Sequence, residues 1–175
     1  MKQKLSHLAF TDIETTGLNR AKHEIIEVAL FIVNQPEFEI IETWQAKIKP
    51  LHPENIDPIA RKMVGYSAKD WKDSLHPKIA FEEYSKKTRD CHLVAHNIYF
   101  DRSFLEDNFR KWKVPVLWHY HSLDTVSLAY YKLGPNISFK LSELAKYFGI
   151  KQEKHHSAYD DTRVCYEIFK KLVQK

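Results

Sequence analysis

Glycine is scarce in this chain, with four residues in 175. Long flexible linkers are therefore excluded, and no internal repeat or low-complexity tract divides the sequence. The length suits one domain over residues 1–175 with a full core, and is too short for two. Cysteine is sparser still. Cys91 and Cys165 lack the spacing of a metal site, and each stands in an apolar context. Such thiols read as buried and reduced, which leads us to expect a cytoplasmic protein. Long hydrophobic runs are missing as well. The longest, Val28 to Val33, is far too short to cross a bilayer. Basic residues stand between Met1 and His7 but no apolar segment follows, so no signal peptide is expected. Nor is there an excess of acid. The net charge is +4, which suits a polyanionic partner without requiring one.

What is present is an ordered series of strand and helix signals. Leu5 to Glu14 reads as a strand with Leu8, Phe10, Asp12 and Glu14 on one face, because strand side chains alternate. Glu24 to Asn34, rich in β-branched residues, is a second strand. After the Gln35-Pro36 break, Glu39 to Lys49 forms a third, ended by Pro50. The short connections predict an antiparallel meander. Asp57-Pro58 then starts a helix that runs to Val64 and stops at Gly65. Ser67 to Trp71 is a short helical turn, and His76-Pro77 opens a longer helix. Leu93-Val94-Ala95 is a short buried strand, followed by a helix from Asp101 to Lys111 and a last strand from His119 to Leu123. Further helices run from the Asp124 cap to Leu133, from the Ser138 cap to Phe148, and from Tyr159 to Val173. Strands first, then strand alternating with helix, predict an α/β domain with a mixed sheet.

The chemistry gathers around Thr11-Asp12-Ile13-Glu14-Thr15-Thr16-Gly17. Two carboxylates on one face of a partly buried strand repel each other and resist desolvation. A divalent cation between them removes that penalty, and Gly17 lets the chain turn away. Asp101 shares a helix face with Phe104, Leu105 and Asn108, and so points toward the sheet. In the last helix, Asp161 precedes Val164, Cys165 and Ile168 by three, four and seven residues, which puts it on the buried stripe. Asp160 lies nearer the edge, where the helix macrodipole is reason enough for an acid. His156, five residues before Asp161, is its partner. Asp12, Glu14, Asp101 and Asp161 thus form a set of inward carboxylates. Oxygen donors without thiolates select hard cations such as Mg²⁺ or Mn²⁺. Four acids can hold two ions, roughly 3.5–4 Å apart, as phosphoryl-transfer sites do. His156 beside them is expected to act as general base near neutral pH. No Ser/His/Asp elbow, Walker loop or paired-cysteine zinc pattern competes for the reaction.

These residues match a known pattern. The chain resembles the DEDD exonucleases of the His-bearing subclass (DEDDh), similar to the proofreading epsilon subunit of bacterial DNA polymerase III and to ribonuclease T. The first motif is Phe10 to Leu18, the second Leu93 to Leu105, and the third, of the form His-x-Ala-x-x-Asp, is His156 to Asp161. The alanine of that third motif selects His156 over His155. The resemblance implies a ribonuclease H-like fold with a five-stranded mixed sheet flanked by helices. It also implies two Mg²⁺ or Mn²⁺ ions and release of nucleoside 5′-monophosphates from a 3′ end. By the same resemblance, Thr15, Thr16 and Leu18 line the terminal nucleotide, with His96 and Phe100 nearby. Asp124 also matches a family acid, but capping the Thr125–Leu133 helix accounts for it, and it is left outside the metal site. Epsilon-like members often carry His-Gly-Ile where this chain has Val64-Gly65-Tyr66, so Met63 or Tyr66 is expected to stack on the base instead. No epsilon-like polymerase-binding segment is expected after the last helix, and no polymerase or clamp partner is evident in the sequence.

The reading is therefore a metal-dependent 3′→5′ exonuclease acting on nucleic acid with a free single-stranded 3′ end. DNA is the favoured substrate, in a proofreading- or repair-like role, and 3′→5′ trimming of RNA is the alternative. Two rivals come from other classes. An aspartate-nucleophile phosphatase would want Asp where Glu14 stands and leaves Asp101 and His156 without tasks. A nucleic-acid-binding module without catalysis would not need every acid intact. The basic loop Lys151 to His156 leads into the site and can meet phosphates. Trp112, Trp118 and Tyr120 are candidate stacking surfaces for single strands.

Overall fold

Side-chain alternation along the first segment divides the molecule into two layers about a sheet. The computed structural model describes residues 6–174, so the expected strand start at Leu5 lies outside the described residues. β1 (Leu8–Thr15), β2 (Ile25–Val33) and β3 (Ile40–Lys47) form the antiparallel meander that the short connections predict. β4 (His92–Ala95) and β5 (Ser122–Asp124) extend the sheet in parallel on the other side of β1. The sheet order is β3-β2-β1-β4-β5, a five-stranded mixed sheet. Six helices flank it: α1 (Pro58–Val64), α2 (Pro77–Lys87), α3 (Ile98–Trp112), α4 (Thr125–Leu133), α5 (Leu141–Tyr147) and α6 (Ala158–Val173). None is long and apolar enough to cross a membrane among the described residues.

Ala9 and Ile13 of β1 pack toward α2 and α3, among Phe81, Tyr84, Phe104 and Phe109. Leu8 and Phe10 pack the other way, onto Cys165, Tyr166 and Phe169 of α6. The Phe10 ring meets Tyr166 and Phe169 edge-on, with centroids 5.4 and 5.1 Å away, the geometry that the aromatic quadrupole favours. α4 and α5 extend that second layer against α6 through Ala129, Leu144 and Val164. β2 is buried along its whole length, which explains its nearly continuous apolar sequence. Both cysteines are buried and unpaired.

Local signals set several boundaries. The Asp57 carboxylate accepts the amides of Ile59 and Ala60 at 2.8 and 3.2 Å, and Gly65 closes α1 in a left-handed conformation (φ 70°). Other boundaries differ from the sequence reading. α3 starts at Ile98, almost a turn before Asp101, because Asn97 adopts φ 66° and turns the chain straight off β4. Asp101 therefore lies within the first turn and does not open the helix. α5 starts at Leu141, and Ser138 does not cap it. β5 falls over Ser122–Asp124, later than expected, because its register with β4 runs from Leu93–Ser122 to Ala95–Asp124. Ser67 to Trp71, by contrast, makes the single helical turn expected, closed by the Trp71 amide donating to the Ser67 carbonyl at 3.2 Å and tied by a Ser67–Asp70 side-chain hydrogen bond.

The consequence for function lies at one end of the sheet. β4 pairs with β1 only from Leu8–His92 to Phe10–Val94. β1 continues to Thr15, so its last residues lose their neighbour on that side. β1 is antiparallel to β2 and parallel to β4, so the gap opens where strand direction switches and beyond the carboxyl ends of β1 and β4. Open α/β sheets bind ligands at such places.

Candidate active site

Asp12 and Glu14 project from the part of β1 that outruns β4, on the face that Leu8 and Phe10 turn toward α6. Asp101 arrives from the first turn of α3 and is 3% exposed. Its Oδ1 accepts the Ile13 amide at 3.1 Å. That amide would have paired with β4 had the strand been longer, so the carboxylate completes a ladder position and is oriented by it. Asp161, 7% exposed, comes from the first turn of α6. Gln152 donates to its Oδ1 at 2.6 Å. One atom each of Glu14, His156 and Asp161 lie within 4.8 Å of one another, a grouping able to hold a metal ion. His156 sits just before α6 with φ 58°, a backbone conformation rarely adopted by residues other than glycine and one that often marks functional positions.

The electrostatics are those of carboxylates packed together. Burial holds Asp12 well above the usual carboxylate range, reinforced by the charges of Asp101, Glu14 and Asp161. Burial pushes Glu14 up to about 8, with Asp161, Glu27 and Asp101 adding to the rise. Asp101 also reaches about 8 through burial, although the Ile13 amide works against it. Asp161 rises to about 6 for the same first reason, opposed by the Gln152 hydrogen bond. Four acids held this way are an unstable arrangement without compensating positive charge.

Asp160 lies at the edge of the helix, as expected, yet only 8% of it is exposed because Arg163 and the loop before α6 cover it. Its partners set it apart. Arg163 pairs with Asp160 at 2.7 Å, and the amides of Glu153 and Lys154 donate to its other oxygen at 2.7 and 2.9 Å. Burial alone would raise its pKa, but these hydrogen bonds hold it below the ordinary value. Asp160 thus ties the Lys151–His156 loop to α6. Asp124 likewise spends Oδ1 on the amides of Val126 and Asn97, at 3.0 and 2.9 Å, in keeping with a cap.

Beside the acids lies a cleft of about 540 Å³, a size suited to a small ligand. Thr15, Leu18 and Phe100 line it together with Ile59, Met63 and Val64. Leu18 is 82% exposed and stands at its mouth. Gly17 makes the turn at the end of β1 with φ 152°, and a Cβ there would lie 2.3 Å from the His23 ring. Only glycine allows that approach.

Two expected nucleotide contacts are placed elsewhere. Thr16 is buried, and its hydroxyl accepts the Glu24 amide at 2.8 Å, which fastens the loop. The His96 ring is engaged at both nitrogens, by the Phe139 carbonyl at 2.7 Å and the Thr125 hydroxyl at 2.9 Å. Burial lowers its pKa, which matches a neutral ring donating to the carbonyl. Of the two candidates for stacking, Met63 lines the cleft, whereas Tyr66 packs against Trp71 at 5.1 Å. Trp118 is 5% exposed within the core, so it offers no stacking surface. Trp112 closes the far end of α3, and Tyr120 precedes β5 at the opposite end of the sheet from the acids.

Glu27 is the residue that sequence reasoning missed. It pairs with Glu14 in the β1–β2 register and is 8% exposed. Burial raises its pKa, while Lys154 and Lys47 oppose the rise. A lone acid inside the apolar run Ile25 to Val33 was the available signal.

A profile of the exonuclease family matches residues 9–169. DNA polymerase III PolC-type from Caldanaerobacter subterraneus subsp. tengcongensis is 32% identical over 165 residues, covering 94% of this chain. The same kind of protein from Clostridium perfringens is also 32% identical, over 168 residues and 91% of this chain. The chain spans only about 11% of the length of each of these two relatives. Among solved structures, E. coli exonuclease I in complex with a dT13 oligonucleotide superposes with a TM-score of 0.83 at 21% identity, over 96% of this chain and 41% of that one. The fold is therefore the ribonuclease H-like fold expected. The family match spans residues 9–169, a range that takes in every acid of the cluster and His156, and the chain belongs to the DEDD 3′→5′ exonuclease family.

Proposed function

We propose that this chain removes nucleoside 5′-monophosphates stepwise from the 3′ end of single-stranded DNA, using two Mg²⁺ or Mn²⁺ ions. The carrying observation is the convergence of Asp12, Glu14, Asp101 and Asp161 from three separate segments onto one end of the sheet, beside His156 and an apolar cleft. The donor set fits hard cations: it is built of carboxylate oxygens, no thiolate lies among them, and burial has raised all four acids. Asp12, Glu14, Asp101 and Asp161 would hold the ions. Bound there, the cations would polarise the phosphoryl group and stabilise charge on the attacking and leaving oxygens.

The chain's own residues do the rest. Leu18, Met63 and Phe100 receive the terminal base and sugar by apolar contact, which is indifferent to base identity. Thr15 and the Gly17 turn form the floor of that cleft. Asp101 is held by the Ile13 amide and Asp161 by Gln152, so these ligands are oriented before substrate arrives. His156 accepts the proton of the attacking water. Its left-handed backbone and the Asp160–Arg163 pair hold the loop that presents it. DNA is favoured because PolC-type relatives are DNA polymerases by name and the exonuclease I neighbour carries a dT13 strand.

The decisive test uses matched 5′-labelled DNA and RNA oligonucleotides with Mn²⁺. We expect a ladder of shortened DNA and nucleoside 5′-monophosphate as product. Faster shortening of RNA would reassign the substrate to RNA. Release of inorganic phosphate with the strand intact would support a phosphatase and reject the exonuclease reading. Tight binding without any shortening would leave a binding module.

A further inference from the structure

A second cavity, of about 720 Å³, lies behind the β1–β2 loop and shares His23 with the nucleotide cleft. Its walls come from that loop, from the segment around His52, and from the exposed side of α3. The basic lining is Arg20, Lys22 and Lys111, with the His23 and His52 rings beside them. Glu24 and Asp107 are the acids in the lining, and both are committed. Glu24 accepts the amides of Leu51 and His52, each at 2.9 Å. Asp107 is shared between Arg20 at 3.3 Å and Arg110 at 3.2 Å. Lys22 and Lys111 have no ion-pair partner among the described residues.

The loop that carries two of these cations is ordered by its own hydrogen bonds. The Asn19 carbonyl accepts the amides of Lys22 and His23, at 2.9 and 2.8 Å. The Asn19 amide donates to His23 Nδ1, and its side-chain oxygen accepts the Ala21 amide, both at 3.0 Å. The backbone at Arg20 and Lys22 is thereby set beside the cleft, with both side chains exposed. No buried acid requires their charge, and the core does not need them. The lining is largely solvent-exposed, as a groove for a long polyanion requires, whereas a site for a small free anion would be enclosed.

We propose that this cavity is a second nucleic-acid subsite, one that binds phosphodiester backbone outside the terminal-nucleotide cleft. The proposal rests on the exonuclease reading for the identity of the polyanion. Backbone of the degraded strand and backbone of a complementary strand share the same chemistry. Lys22 and Lys111 act as point charges for phosphates, and Arg20 can leave Asp107 for a phosphate, because an exposed pair of this kind contributes little.

The test compares the parent protein with Lys22→Ala/Lys111→Ala and with Lys22→Arg/Lys111→Arg. Binding of labelled oligonucleotides is read by anisotropy over a salt series, and turnover is read on the p-nitrophenyl ester of a nucleoside 5′-monophosphate. The alanine variant should bind strands roughly tenfold more weakly at low salt, with the slope of log K against log salt reduced by about 1.4 for single strands. The arginine variant should bind like the parent, and ester turnover should be the same in all three. Loss confined to duplex with a 3′ overhang assigns the cavity to a complementary strand, and equal loss on single strands assigns it to the degraded strand. Unchanged binding and salt slope in the alanine variant, or equal loss on ester and strands, overturns the subsite. Binding does not depend on catalysis, so an inactive parent would sink the exonuclease reading while the salt slopes still judged the cavity.

Discussion

The strongest physical handle on the site is the cost of burying its acids as carboxylates beside one another, and Glu14→Gln measures it for one of them. Glu14 rises from the ordinary 4.5 to about 8, with burial as first cause. A carboxyl raised in the folded state holds its proton there more tightly than in the unfolded chain. Its stabilising contribution is complete below about pH 4.5 and is lost as pH rises through about 8. Metal-free protein should therefore weaken steadily across that window. The full shift corresponds to on the order of 5 kcal/mol. Glu14 stands at the cleft, where water and salt enter, so roughly 1–3 kcal/mol is the expected gain on replacing it by neutral glutamine. For a chain of this size that is a rise in Tm of about 2–12 °C. The assay is thermal melting in chelator at about pH 5 and about pH 9, where the titration is respectively nearly absent and nearly complete. Glu14→Gln should match the parent at the lower pH and melt higher at the upper. Saturating Mn²⁺ should reverse the order, because the parent gains a ligand's binding energy that the variant lacks. An equal gain at both pH values, or a variant that melts below the parent in chelator at high pH, would refute the proposed cost of the buried carboxylate.

Four further outcomes follow from named contacts. Asp12→Asn should lower kcat/KM on labelled oligonucleotides by on the order of 10³-fold, the equivalent of several kcal/mol, while circular dichroism shows an unchanged fold. His156→Ala should lose roughly 10²–10⁴ in kcat, with partial rescue by added imidazole marking a proton-acceptor role. Gly17→Ala should lower stability by about 1–3 kcal/mol through collision with the His23 ring, and Gly17→Ala/His23→Ala should recover part of the loss in the same melt. Met63→Ala should weaken nucleoside monophosphate binding severalfold by calorimetry, through roughly 1–2 kcal/mol of lost apolar contact, while Tyr66→Ala leaves it unchanged.

Much of the site was legible in the chain because local periodicity carried it. A strand places residues two apart on one face, so Asp12 and Glu14 had to project together. A helix places residues three, four and seven apart on one stripe, so Asp161 had to face inward with Val164, Cys165 and Ile168. Asp57 before Pro58 and Gly65 after Val64 named the ends of α1 through the chemistry of helix caps. Each of these features depends on neighbours within a few residues.

What remained depended on where distant segments meet. Asp160 and Asp161 stand side by side at the start of α6, and only Arg163 and the amides of Glu153 and Lys154 make one of them a loop anchor. His96 looks available in its motif until Phe139 and Thr125 close on both ring nitrogens. Met63 and Tyr66 are three residues apart, yet one faces the cleft and the other packs on Trp71. Glu27 meets Glu14 through strand pairing alone. The sequence by itself determined how Asp12, Glu14 and Asp161 face, because facing is a local property of strand and helix. Only the tertiary structure decided which polar groups stay free for substrate, because a hydrogen bond between residues far apart in the chain can spend a group that local pattern leaves open.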